Sequence, residues 1–263
     1  MKTVRMMALL NTLGFIATIT LNTLANALPL NGMTTGELSA AYPNLFVPAG
    51  FTFSIWGVIY LWVLIFVVYQ NVKAFSKQTT ETDLGFLKQL NYGFFFSCLA
   101  NAIWIVAWHY QYVLLSLVIM LLLLGSLIYI YQRLQIGIRK VSRKEKLLVH
   151  APFSIYLGWI TVATIANTTA FLVHINWDAF GILPEIWTTV MLAIGTVIGL
   201  NIVGKRKDPA YGLVIVWAYF GIVAKRMNLG MEWTHMIVLT ALIGMTLVGI
   251  LALGQLFRPS SNS

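Results

Sequence analysis

Eight apolar runs divide the chain, near residues 6–28, 51–69, 90–108, 112–132, 151–173, 187–203, 210–224 and 235–256. About 20 mostly apolar residues carry a helix across a ~30 Å hydrocarbon core, whereas a barrel strand needs only ~10. Inside lipid every backbone N–H and C=O must find a partner within the protein, so runs of this length are read as helices. Composition agrees. Hydrophobic residues make up 59% of the chain and charged ones 10%, against roughly 25% charged residues in a soluble domain. The expected fold is all-α, a polytopic membrane protein with about eight transmembrane helices, the seventh run being the shortest.

Lys and Arg set the expected orientation, because positively charged loops stay in the cytoplasm. Fifteen of the seventeen fall on one side: Lys2 and Arg5 before the first span, Lys73, Lys77 and Lys88 between the second and third, six from Arg133 to Lys146 between the fourth and fifth, Lys205 to Lys207 between the sixth and seventh, and Arg258 after the last. Only Lys225 and Arg226 fall on the other. Both termini are therefore expected in the cytoplasm, with the chain multi-pass in the cell membrane and residues 257–263 a short polar cytoplasmic tail. The basic residues sit in short loops rather than on one face, so no nucleic-acid partner is expected. Those between the fourth and fifth spans are expected to lie against anionic headgroups. The opening MKTVR, with Ala25-Asn26-Ala27 after the first run, imitates a cleavable secretory signal. Asn11, Thr12, Thr18, Thr20 and Asn22 in the middle of that run are unlike a compact signal core, and a retained helix is expected.

Much chemistry is missing. All eight acids and all the basic residues lie in loops or at span ends, whereas an ionisable group in mid-membrane would mark a proton relay or ion path. The four histidines (His109, His150, His174, His235) also sit at span ends, and the single Cys98 lies inside an apolar run. No metal site, cofactor or disulfide framework is expected. No phosphate loop, HExxH or GxSxG string occurs, so an ATP-driven engine would have to come from another chain.

What remains is Trp, Tyr and Asn inside the spans. Trp108, Trp177, Trp187 and Trp233 suit an interfacial belt, but Trp159 lies too deep for one. At 100° per residue Asn101, Trp104 and Trp108 share one stripe of the third span, and Trp56 and Tyr60 are one turn apart on the second. With Trp159 and Asn167 on the fifth, three helices aim aromatic and amide groups at about the same outer-half depth. Residues 29–50, rich in Pro, Gly and Tyr, form the longest external loop above them. An aromatic pocket under a lid has this pattern, although Asn and Trp that only join helices would share it.

Those residues also carry a resemblance. Pro43, Pro48, Trp56 and Tyr60, at their spacing in PNLFVPAGFTFSIWGVIY, resemble the loop and second-helix motif of the TspO/MBR family, the tryptophan-rich sensory proteins related to the mitochondrial translocator protein. Asn101, Trp104 and Trp108 are similar to its third-helix pattern, and Pro152, Trp159 and Asn167 to that of its fifth helix. Leu45 stands where the family usually has Trp, and Val47 where it often has a second Pro. The resemblance covers residues 1–173. It implies a TspO-like five-helix core, with 174–256 as three additional transmembrane helices. It also implies a site for a planar hydrophobic small molecule, porphyrin-like or sterol-like, formed by Trp56, Tyr60, Asn101, Trp104, Trp108, Trp159 and Asn167 under a lid containing Pro43 and Pro48, and a possible homodimer. A sensor, carrier or scavenger is the first functional expectation. A small permease energised by a partner is the second, and a light-dependent porphyrin-degrading enzyme the third. No acid–base pair supports catalysis in the dark. Gly195 and Gly199, a GxxxG pair, are expected to pack the extra helices against the core or a second subunit.

Overall fold

Five helices form a closed ring, and three more stand outside it. The computed structural model describes residues 1–228 and 235–257, so the expectations for Glu232, Trp233, Arg258 and the rest of the tail lie outside the described residues. The helices are α1 (Lys2–Ala27), α2 (Thr35–Ala40), α3 (Ile55–Phe75), α4 (Gly85–Leu90), α5 (Gly93–His109), α6 (Val113–Arg133), α7 (Arg143–Glu145), α8 (Ala151–His174), α9 (Pro184–Arg206), α10 (Pro209–Asn228) and α11 (His235–Leu256). All eight apolar runs are helical. Among the described residues seven helical stretches are long and apolar enough to cross a membrane, and Thr82–Leu90 with Gly93–His109, bent by 42°, passes the same test when the two are taken together. The protein is a polytopic all-α membrane protein.

In the ring α1 packs on α5, α5 on α6, α6 on α8, α8 on α3, and α3 back on α1. Lipid tails give little hydrophobic drive for helices to associate, so small residues and interhelical hydrogen bonds must supply specificity. The α1 seam shows both. Gly14, Thr18 and Asn22 recur every four residues and are buried on one face. A Cβ on Gly14 would lie 3.0 Å from Cys98 Cβ. Thr18 Oγ1 donates to Cys98 O (2.9 Å), and Asn22 Nδ2 to Asn101 Oδ1 (2.8 Å). On the α3 side Asn11 Nδ2 donates to Gln70 Oε1 (3.0 Å). Of the polar residues that distinguish the first run from a signal core, Asn11, Thr12, Thr18 and Asn22 bond to neighbouring helices, while Thr20 is exposed.

Outside the ring, α10 lies against α8, and α9 and α11 pack on α10 and on each other. A Cβ on Gly158 would come within 3.2 Å of Tyr211 O, so glycine permits the close approach of α8 and α10. The GxxxG pair faces inward to this three-helix group: Gly195 meets Tyr219, and Gly199 meets Val248 and Ile215. It therefore joins α9 to α10 and α11 rather than to the ring.

Several boundaries differ from expectation. The third span starts at Gly93 because Asn91, at φ 50°, breaks the helix after α4. The seventh, expected over 210–224, runs from Pro209 to Asn228 and takes Lys225 and Arg226 into its last turn. The connection before the fifth span is partly helical: Ser142 accepts from Glu145 N (3.1 Å), and a π turn over Lys146–His150 leads into α8. Residues 29–50, expected as loop, contain α2. Thr34 and Glu37 there form a reciprocal capping box, Glu37 N donating to Thr34 Oγ1 and Thr34 N to Glu37 Oε2.

Candidate functional site

At the end of the ring under residues 28–54, helices α3, α5 and α8 converge on a cleft. Its interior cavity is about 50 Å³, and the empty space out to its mouth about 530 Å³. Trp56 from α3, Trp104 and Trp108 from α5, and Trp159 and Asn167 from α8 line it. Thr35, Ser39, Phe46, Pro48 and Phe53 close it from above, and Val162, Ala163 and Ala166 complete the α8 wall. Among the described residues, no Asp, Glu, Lys, Arg or His lines the cleft.

The rings are arranged by helix periodicity. Trp104 and Trp108, one turn apart, stack with centroids 6.3 Å apart and planes 14° apart. Trp56 stacks on Trp104 at 6.1 Å and on Tyr60 at 5.3 Å. Trp159 stands edge-on to Trp56 at 6.2 Å and to Phe53 at 5.9 Å. Such stacked and edge-to-face pairs are the preferred aromatic geometries, so the rings hold one another in place along the cleft.

Among the indole N–H groups, Trp104 Nε1 donates to Asn167 Oδ1 (3.3 Å), and Asn167 Nδ2 donates to Ser116 Oγ (3.1 Å). Trp108 Nε1 and Trp159 Nε1 are buried without a partner. Asn101 has a different setting. It is fully buried, accepts from Asn22 Nδ2 and donates to Tyr156 Oη. That places it behind the wall, in a chain joining α1, α5 and α8. Tyr60 stacks against the rear of Trp56 and does not line the cleft.

The segment above is held at two places. His109, at the end of α5, donates from Nδ1 to Leu30 O (3.0 Å), and its Nε2 is hydrogen-bonded to the Thr35 hydroxyl (3.1 Å). Asn31 Nδ2 donates to His109 O (3.0 Å). Asn44 Oδ1 accepts from Phe46 N and Val47 N, turning the chain so that Pro48 is buried while Pro43 is exposed. The second hold is on α10. Ala49 N donates to Gly221 O (2.9 Å), and Trp217 Nε1 donates to Thr52 O (3.0 Å). A Cβ at position 221 would overlap Thr52 Oγ1 and come within 2.8 Å of its Cγ2, so glycine is what allows the turn to seat.

A protein-family model described as TSPO-like protein matches residues 8–254. The chain belongs to the TSPO-like family. No curated protein and no solved structure gave a match. The family match runs through α9, α10 and α11, where the motif resemblance ended near residue 173.

Of the residues singled out in this TSPO-like chain, Trp56, Trp104, Trp108, Trp159, Asn167 and Pro48 meet at the cleft, while Tyr60, Asn101 and Pro43 do not line it. Trp108 is buried in the wall rather than in an interfacial belt; Trp177, on the α8–α9 connection, pairs at 5.3 Å with Trp187 in the first turn of α9. Thr35, Ser39 and Phe53 were not foreseen, although the Thr34–Glu37 capping box announces the helix that carries the first two. No sequence signal marks Trp217 or Gly221.

Proposed function

We propose that this TSPO-like protein binds a planar, largely apolar small molecule, tetrapyrrole-like or sterol-like, in the cleft between α3, α5 and α8, as a sensor, carrier or scavenger. The observation that carries this reading is the cleft itself. Four tryptophans line one cleft, two of their N–H groups have no partner among the described residues, and a segment held by His109 and α10 covers them. Aromatic stacking would hold the ligand's plane, and the few polar groups would orient its edge.

The interior cavity is much smaller than such a ligand, so entry requires the covering segment to lift and Trp56 or Trp159 to turn. The distribution of Lys and Arg favours a cytoplasmic location for the opposite end of the bundle, with the cleft toward the outside. Among the described residues the cleft offers no ionisable side chain for general acid–base catalysis, which favours binding over turnover.

Titration of tryptophan fluorescence with protoporphyrin IX on purified protein tests the reading. It expects saturable quenching at micromolar concentration, weakened by Asn167→Ala and by Trp159→Phe. Linear quenching that is identical in all three proteins would mean partition into detergent and would sink the proposal. Gradient-driven flux of the porphyrin into proteoliposomes would shift the role from binding to permeation.

A further inference from the structure

At the end of the bundle away from the cleft, two basic segments are locked side by side. Residues 133–146, between α6 and α8, carry six cations and one acid, and residues 205–208, between α9 and α10, carry three and one. The turn after α6 is anchored by the buried Leu134 and Ile136 and closed by Arg139 N, which donates to Gln135 O (3.0 Å). Gly137, at φ 79°, lies so close to the end of α9 that a Cβ there would stand 1.7 Å from Arg206 O. Arg206 in turn places its guanidinium carbon 5.4 Å from the centre of the Tyr131 ring, whose hydroxyl donates to Asp208 Oδ2 (2.8 Å). At about 3.8 Å between successive Cα atoms, the Gly137 contact holds the Cα atoms of Arg139 and Lys207 within about 14 Å of each other.

Both acids of the patch are already committed. Glu145 pairs with Arg139, and the buried Asp208 accepts from Tyr131 Oη and Tyr211 N. Lys140, Arg143, Lys146, Lys205 and Lys207 are exposed and pair with no acid among the described residues. Two like-charged segments held in contact repel, and an anion seated between them relieves that repulsion. The surroundings say which anion. Both connections join membrane-spanning helices, so they lie at a bilayer surface, where the phosphates of lipid headgroups are the neighbouring anions. Ile138 and Leu147 are exposed by 60% and 48% among these cations. Apolar side chains beside cations suit a surface where phosphate lies above acyl chain.

We infer that this patch binds a phospholipid whose single headgroup carries two phosphates, one met by residues 139–146 and the other by residues 205–207, with Ile138 against its acyl chains. The first segment belongs to α6 and α8 of the ring and the second to α9 and α10, so the bound lipid bridges the ring and the outer helices. The site is independent of the cleft and of whatever occupies it.

The full chain in detergent micelles is titrated with cardiolipin, which has two phosphates, with phosphatidylglycerol, which has one, and with zwitterionic phosphatidylcholine. Native mass spectrometry counts the lipid retained. Joining two contacts in one molecule raises affinity without adding a new one, so cardiolipin should bind at least about tenfold tighter than phosphatidylglycerol, with phosphatidylcholine weakest. Lys140→Gln combined with Lys207→Gln removes one exposed charge from each segment. At about fivefold per charge, cardiolipin affinity should fall by about 25-fold. Lys2→Gln combined with Lys77→Gln removes two charges at the same end of the bundle but outside the patch, and should change it by less than about twofold. Thermal melting reads the bridge: cardiolipin should raise the wild-type midpoint more than phosphatidylglycerol of equal phosphate content does. Equal affinity for the two anionic lipids, or an equal loss in both double variants, would overturn the inference. So would sodium pyrophosphate binding as tightly as cardiolipin, since two phosphates without acyl chains would then suffice.

Discussion

Replacing Gly221 by alanine tests whether α10 belongs to the functional unit. The new methyl group would overlap Thr52 Oγ1 and approach its Cγ2 to 2.8 Å, so the turn over residues 49–54 must retreat by at least about 0.6 Å to reach the 3.4 Å of ordinary contact. A shift directed away from α10 stretches both bonds that seat the turn, Ala49 N to Gly221 O and Trp217 Nε1 to Thr52 O. Each contributes about 1 kcal/mol net. Their loss therefore weakens the closed position by about 2 kcal/mol, a factor of about 30 in the closed-to-open ratio. If a ligand is held only under the closed segment, stopped-flow tryptophan quenching with protoporphyrin IX dimethyl ester should show a Kd raised by up to that factor, mostly through faster dissociation. Adding Thr52→Gly removes the three atoms nearest the new methyl and should restore most of the affinity. Unchanged dissociation in Gly221→Ala, with the variant folded, would refute the view that α10 seats the cover.

Three further outcomes are expected. Trp217→Phe removes one of the two bonds to the covering turn and keeps an aromatic ring at that position, so dissociation should quicken by about fivefold. Asn101→Leu leaves Asn22 Nδ2 and Tyr156 Oη without their partner and should lower stability in denaturant titrations by about 1–2 kcal/mol. It should move porphyrin affinity by less than about twofold; a lost ligand site with unchanged stability would return Asn101 to the pocket. Burial holds the Asp208 carboxyl above its ordinary value of 3.8, against the lowering effect of bonds from Ser154, Tyr131 and Tyr211 N. A raised folded pKa means that the folded state binds the extra proton, so this group's contribution declines as pH rises from 3.8 through the folded value. Arg206, stacked on Tyr131, and Tyr211 share that neighbourhood. Melting curves should show wild type gaining on Asp208→Asn as pH falls across that interval, and a pH-independent difference would count against it.

The eight spans were legible because apolar length is a local property that the bilayer enforces segment by segment. The tryptophan wall was legible for a related reason: Trp104 and Trp108 share a face by helix geometry alone, and depth along α3 and α8 brings Trp56 and Trp159 to their level. Asn101 lies on that same stripe, but its partners Asn22 and Tyr156 sit 79 and 55 residues away. Helical periodicity cannot tell an amide that faces a cleft from one that faces a neighbouring helix. The polar centre of α1 was the available clue, since a helix carrying Thr18 and Asn22 in lipid needs a polar partner. Trp217 and Thr52 are 165 residues apart, and nothing local to either marks the contact. The break at Asn91 was likewise invisible to hydropathy, which does not register a backbone turned to positive φ.

The measurement that reaches the central reading most directly is photolabelling with a diazirine-bearing sterol, followed by peptide mapping of the adducts. If the cleft is the ligand site, adducts concentrate on residues 162–167 of α8 and 104–108 of α5, and excess protoporphyrin IX dimethyl ester suppresses them. Adducts spread over lipid-facing positions such as Leu121, Leu122 and Ile250, unaffected by the competitor, would show that the apolar molecule meets only the outer surface of the bundle and would contradict the reading.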